Sequence, residues 1–386
     1  MIPSGWLSED FGNYWVRPCE EASGGNGLRM LGMVGALENL ADSVKGRLRR
    51  RYGINRLQIA SYPGFSNEEH LFIRGRVLVG KVIESGDLKH GKLRNFNNMA
   101  KRFLSAEIPH ARLLVEWQGH RKEVEADHEG YFFERLPIDP TRELGLKISS
   151  NEEGMDHVVE VEPQIFAMSP TARLIIVSDM DDTVLLTMAT KALRMVAITL
   201  FGNSHTRRHF EGVPGFYQRL QKGKSEDGNP LFYVSSSPWN LYDFLEEFLT
   251  VNQIPLGPMF LRDHGLENRR LTLRDHRSHK IQAIEKLLDV FPDLPFLLVG
   301  DTGQKDPEIY LEVVQRHSTR IKGVLLRNVT QLLPRRVAEV EQRGREMEDF
   351  GCHFCLFEGT EEAEGAVQEW GLMPSSEDAG CEVGDV

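Results

Sequence analysis

Disulfide chemistry is the first thing this 386-residue chain is too poor to support. Its four cysteines, Cys19, Cys352, Cys355 and Cys381, are too few and too scattered for a cross-linked framework. That usage fits a reducing compartment, and the expected location is cytoplasmic. Residues 1–58 lack a charged stretch followed by an apolar run, and nowhere do about 18 apolar residues follow one another. Neither classical secretion nor a membrane span is therefore expected. An excess of positive charge is missing too: the net charge of -11 argues against a dedicated nucleic-acid binder, which needs a broad basic face. What remains is ordinary for a globular chain, 27% charged and 40% hydrophobic, long enough for two or three domains at about 150 residues each.

Four regions follow from the patterning. In residues 1–60, Leu31, Val34, Leu37, Ala41, Val44 and Leu48 recur at steps of three and four, the mark of an amphipathic helix, and Lys45, Arg47, Arg49, Arg50 and Arg51 crowd its end. That helix, within residues 28–52, either packs on a neighbouring domain or rests its basic end on an anionic membrane as a peripheral contact. Residues 61–168 carry short β-rich runs separated by turns such as Gln118-Gly119-His120 and Asp127-His128-Glu129-Gly130, which predicts a small antiparallel β-sandwich. Residues 169–373 alternate apolar strand-like runs, among them 174–177, 231–234, 296–299, 324–326 and 353–357, with helical stretches. Such alternation predicts an α/β fold, a doubly wound parallel sheet covered on both faces. Residues 374–386 are acidic and small, and read as a disordered tail.

In an open parallel sheet, ligands bind beyond the carboxyl ends of the strands, and here those ends hold a coherent set of side chains. The first run is followed by Asp179 and Asp181, the second by Ser235-Ser236-Ser237, and the third by Gly300-Asp301 with Asp306 beyond it; Lys280 opens the helix before the third. Asp is depleted from strands, and burying an ionised carboxylate costs several kcal/mol unless a cation or donors offset it. Mg²⁺ is a hard ion that takes one or two carboxylates together with water and phosphate oxygens, which makes Asp179 and Asp301 the best direct ligands. A carboxylate can also attack phosphorus, and a second acid two residues on can protonate the departing alkoxide and then activate water. A serine hydroxyl and a lysine ammonium suit the equatorial phosphoryl oxygens.

The ordered set Asp179-x-Asp181-x-Thr183, Ser235, Lys280 and Gly300-Asp301-x-x-x-x-Asp306 resembles the four motifs of the haloacid dehalogenase superfamily of phosphatases. That resemblance implies a HAD-like (Rossmannoid) domain with Mg²⁺ as cofactor. It casts Asp179 as nucleophile and metal ligand, and Asp181 as general acid and base whose main-chain carbonyl also meets the metal. Thr183 would brace the loop, Ser235 and Ser236 would bind phosphate, Lys280 would stabilise the phosphorylated state, and Asp301 and Asp306 would complete the metal shell. Asp182 stands where glycine is common. The strings Phe232-Tyr233-Val234-Ser235-Ser236-Ser237-Pro238-Trp239-Asn240, His279-Lys280 and Gly300-Asp301-Thr302-Gly303-Gln304-Lys305-Asp306-Pro307 are similar to the catalytic domain of the lipin-related, actin-patch-protein type of phosphatidate phosphatase. This closer likeness implies that phosphatidate is the phosphate-ester substrate and diacylglycerol the product. Two alternatives stay open: the same chemistry on a soluble phosphomonoester or phosphoprotein, and a non-enzymatic membrane-binding scaffold.

Three other features have two readings each. The stretch 184–212 is short for a large cap and holds an apolar helical segment before Arg207-Arg208-His209, so it serves either as a lid facing lipid or as cover for the sheet. Cys352 and Cys355 have the spacing of a metal or redox pair, but residues three apart on a strand face opposite ways, so buried thiols are expected. Arg327, after a strand, contacts either phosphate or a surface carboxylate.

Overall fold

The computed structural model describes residues 57–79, 106–150, 158–180, 212–224, 228–262, 273–303, 305–328 and 334–374. The expected helix at 28–52, the lid at 184–211 and the acidic tail from residue 375 on lie outside the described residues. The chain divides into two units, Met1–Ile165 and Phe166–Val386.

In the first unit, strands β1 (Leu57–Ser66) and β2 (His70–Val79) form an antiparallel pair. The side chain of Asn67 turns the chain between them by accepting from the backbone N–H groups of Glu69 (3.0 Å) and His70 (2.7 Å). β1 starts ahead of the expected sandwich boundary at 61. Pro63 and Gly64 hide it from an alternation count, and the structure absorbs them as a register shift between Tyr62 and Phe65. β3 (Ala106–Glu107) pairs with the end of β2.

β4 (Arg112–Trp117) and β5 (His120–Glu125) form a hairpin whose two connecting residues, Gln118 (φ 47°) and Gly119 (φ 82°), both have positive φ. That geometry suits the right-handed twist of the strands and explains the Gln118-Gly119 signal. β6 (Tyr131–Pro137) pairs with β2, while β7 (Lys147–Ser150) joins β4 to β8 (Val159–Val161). Leu57, Ile59, Leu71, Ile73 and Val77 of the first sheet share one core with Leu113, Val115, Trp117, Val124 and Ile148 of the second. Two antiparallel sheets thus enclose an apolar layer, as the alternation requires. A short strand, β9 (Ile165–Ala167), straddles the division between the units.

The second unit is built on six parallel strands in the order β12-β11-β10-β13-β14-β15. These are β10 (Ile175–Asp179), β11 (Leu231–Pro238), β12 (Met259–Arg262), β13 (Phe296–Asp301), β14 (Ile321–Arg327) and β15 (His353–Phe357). The helices between them are α1 (Val213–Lys222), α2 (Tyr242–Val251), α3 (Leu273–Val290), α4 (Asp306–His317) and α5 (Pro334–Asp349), and α6 (Thr360–Glu369) follows β15. Every residue of β13 is buried, which is why the central runs are continuously apolar instead of alternating. The chain runs outward from β10 through β11 to β12, then returns to the other side of β10 as β13. That reversal opens a crevice at the carboxyl ends of β10 and β13.

Candidate active site at the carboxyl edge of the parallel sheet

Register brings the acidic residues to the same edge of the sheet. Ser178 of β10 lies opposite Val299 of β13, so Asp179 and Asp301 end neighbouring strands. Asp306 opens α4, with Pro307 in its first turn and the anionic Asp306 and Glu308 at the positive end of the helix dipole. Gly300 permits this approach: a Cβ there would lie 2.7 Å from Asp306 Oδ2 and 2.8 Å from the Tyr310 ring. The Tyr310 hydroxyl donates to the Val299 carbonyl at 2.9 Å and ties α4 to β13.

Lys280 is the centre of the constellation. Its ammonium lies 2.7 Å from Asp179 Oδ1 and 2.8 Å from Asp306 Oδ1, and all three side chains are within 3% of complete burial. Asp306 Oδ2 accepts from the Asp301 N–H at 3.3 Å, and Asp301 Oδ1 accepts from the Gly303 N–H at 2.7 Å. Carboxylate oxygens of Asp179, Asp301 and Asp306 come within 4.8 Å of one another. Over these four described side chains, three carboxylates against one ammonium give an acidic excess in a buried place. The hydroxyl oxygen of Thr302, beside Asp301, is also buried and makes no hydrogen bond among the described residues. An all-oxygen donor set with that charge and a spare buried hydroxyl fits a hard divalent cation such as Mg²⁺.

The serine motif ends the neighbouring strand. Val234 of β11 is level with Asp179, and Ser235, the next residue, is fully buried. The Ser235 hydroxyl donates to Ser237 Oγ at 2.6 Å, and accepts the Ser237 N–H at 3.0 Å. Ser236 is only partly buried. His279 Nε2 lies 3.4 Å from the Phe260 carbonyl, to which it can only donate, in the same helix as Lys280. Arg327 ends β14 level with Asp301, and its carbonyl accepts the Thr302 N–H at 3.0 Å.

Asp179, Lys280, Asp301 and Asp306 are therefore brought together, with Ser235 and Ser236 on the next strand end. Asp181, Asp182 and Thr183 lie outside the described residues. The structure adds two residues that spacing did not mark. Ser178 and Tyr217 pair their hydroxyls at 2.7 Å directly behind Asp179. Burial pushes the Tyr217 phenol up to about 12, although its bond to Ser178 acts the other way. Nothing in a lone tyrosine on an amphipathic helix signals this role in sequence. The thiols of Cys352 and Cys355 are free, and burial pushes them up to about 12 and about 11.

One comparison with known proteins falls on the same segment. A family model described as the catalytic domain of phosphatidate phosphatase APP1 matches residues 174–328. Phosphatidate phosphatase APP1 of Saccharomyces cerevisiae is 30% identical over 242 residues, covering 60% of this chain and 40% of that protein. An uncharacterized protein of Schizosaccharomyces pombe is 25% identical over 209 residues, 52% of this chain and 33% of its own. The chain thus spans less than half the length of these curated relatives. A solved carbohydrate acetylesterase from Xanthomonas citri aligns with a TM-score of 0.24 at 14% identity, over 68% of this chain and 66% of its own, too weak a likeness to bear on fold or function. The unit holding Asp179, Lys280, Asp301 and Asp306 resembles the catalytic domain of phosphatidate phosphatase APP1, and the matched residues include every described member of the cluster.

Proposed function

We propose that this chain is a HAD-like, Mg²⁺-dependent phosphomonoester hydrolase that converts phosphatidate into diacylglycerol and inorganic phosphate. The observation that carries this reading is the buried Lys280 ammonium shared by Asp179 and Asp306, with Asp301 alongside, in the segment similar to the APP1 catalytic domain. Asp179, Asp301 and Asp306 would hold the metal, with the main-chain carbonyl of Asp181. When bound, the ion neutralises phosphoryl oxygens so that an anionic nucleophile can approach an anionic ester.

In this mechanism an oxygen of the Asp179 carboxylate forms a bond to phosphorus as the ester P–O bond breaks, giving an aspartyl-phosphate. Asp181 gives its proton to the departing glycerol oxygen. It then takes one from water, whose oxygen attacks the phosphorus of the aspartyl-phosphate; phosphate leaves and Asp179 is regenerated. Lys280 neutralises Asp179 in the resting enzyme and faces the phosphoryl group once Asp179 is esterified. Ser235 and Ser236 would bind the equatorial oxygens, and Thr183 with Asp182 would brace the exit from β10.

The substrate is a bilayer lipid, so the reading carries with it a peripheral encounter with an anionic membrane at its cytoplasmic face. Among the described residues no helix is long and apolar enough to cross a membrane. The test is a phosphate-release assay with phosphatidate in mixed micelles beside a soluble phosphomonoester, with and without Mg²⁺. Phosphatidate should be the preferred ester, and Asp179→Asn should lower release by at least about 10³-fold while the protein stays folded. Equal or faster release from the soluble ester would reassign the substrate, and full activity in Asp179→Asn would remove the mechanism.

A further inference from the structure

We infer that the hydroxyls of Tyr217 and Ser178 form a positioning device that fixes the main chain at Asp179 and so aims its carboxylate; the inference rests on the nucleophilic role proposed above. Ser178 Oγ lies 3.1 Å from the Asp179 carbonyl oxygen and 2.7 Å from the Tyr217 hydroxyl. The direction of both bonds follows from counting protons. A carbonyl oxygen can only accept, so the single Ser178 proton goes to Asp179, and Tyr217 must donate to Ser178. A directional chain of two hydroxyls therefore ends on the last residue of β10.

Both members suit that task. Ser178 is fully buried, where an unmade hydrogen bond is costly. Tyr217 must keep its proton to donate, and burial holds it well above any physiological pH. Val213, Phe216 and Leu220 bury one stripe of α1 against the unit, and the helix is bounded by Gly212 (φ 82°) and Gly223 (φ 50°). Tyr217 sits within that anchored helix and lies in the electrostatic field of Asp179, Asp301 and Arg327, which places its hydroxyl at the acidic edge of the sheet and not in remote packing. α1 is the first described element after β10, so the device links the end of that strand to the next described helix.

The test separates aim from packing. Tyr217→Phe keeps the ring and removes only the donor; Ser178→Ala removes the link. Each should lower kcat for phosphatidate roughly tenfold, because small misplacement of a reacting atom is expensive. KM should stay within about twofold, and the double variant should be no slower than the worse single, as expected for two parts of one device. Binding of beryllium fluoride with Mg²⁺, read by calorimetry without turnover, should weaken in the same order. Wild-type kcat in Tyr217→Phe overturns the inference, as do losses that multiply in the double variant. A lowered melting temperature with kcat intact assigns the pair to packing instead. A wild-type chain with no Mg²⁺-dependent release overturns the proposed reaction, and the positioning role with it. Wild-type turnover with an unaffected Tyr217→Phe overturns only the positioning role.

Discussion

Replacing Lys280 with methionine removes the ammonium that Asp179 and Asp306 share, while leaving a side chain of similar length. Two contacts at 2.7 and 2.8 Å are lost in a place with almost no solvent access. At an effective dielectric near 20, each contact contributes about 6 kcal/mol of gross attraction, most of it offset by the desolvation of both ions. The net cost is set by the carboxylates left behind, and breaking a buried pair by deleting one partner costs about 3–5 kcal/mol. For a unit of this size each kcal/mol corresponds to about 2–4 °C, so the midpoint of the parallel-sheet unit should fall by roughly 6–20 °C. The assay is thermal unfolding followed by circular dichroism, with and without Mg²⁺. A divalent cation that binds the folded acidic cluster should recover more of the midpoint in Lys280→Met than it adds to the wild type. Adding Asp306→Asn to Lys280→Met should also restore part of the loss, because it removes one of the stranded charges. A Lys280→Met midpoint within about 2 °C of wild type in metal-free buffer would refute the reasoning, since it would mean that the buried charges need no such balance.

Two further outcomes are expected. Gly300→Ala should displace the Asp306 carboxylate and the Tyr310 ring, since the new methyl would lie 2.7 and 2.8 Å from them. A destabilisation of about 1–3 kcal/mol by urea titration, with weakened phosphate release, would follow from such overpacking, and an unchanged midpoint would contradict the crowded geometry. The Cys352 and Cys355 thiols, raised to about 12 and about 11, should stay protonated in the folded chain at pH 9, where unfolded thiols ionise. Their contribution to stability is full below about pH 8.5 and fades as pH rises through the folded values. Mass spectrometry of iodoacetamide-treated protein should find the two peptides modified at least about tenfold more slowly than in urea, and equal rates would show that the thiols are accessible.

The parallel sheet was legible because burial on both faces makes its strands continuously apolar, so runs such as 296–299 and 353–357 stand out. Asp179 and Asp301 were legible for the complementary reason that acids do not belong at the ends of such runs without a task. β1 was hidden because Pro63 and Gly64 break its alternation, a local defect that the bulge repairs only in the presence of β2. The Ser178–Tyr217 pair was hidden for a different reason: a helix and a strand distant in sequence meet through two hydroxyls, and neither residue is unusual in its own segment. Lys280 could be selected from sequence, but its division between Asp179 and Asp306 is a matter of packing that spacing does not encode.

The strand order has a consequence for how the protein is made. β10 pairs with β11 on one side, which is near in sequence, and with β13 on the other, which is not. As the chain emerges during synthesis, Asp179 cannot meet its charge partners until α3, β13 and the start of α4 have followed, and closing so long a loop is slow. Partly folded chains that hold β10, β11 and β12 contain Asp179 without Lys280, Asp301 or Asp306. Assembly of the acidic cluster around Lys280 is thus a late event in folding, reached when the second half of the sheet docks onto the first.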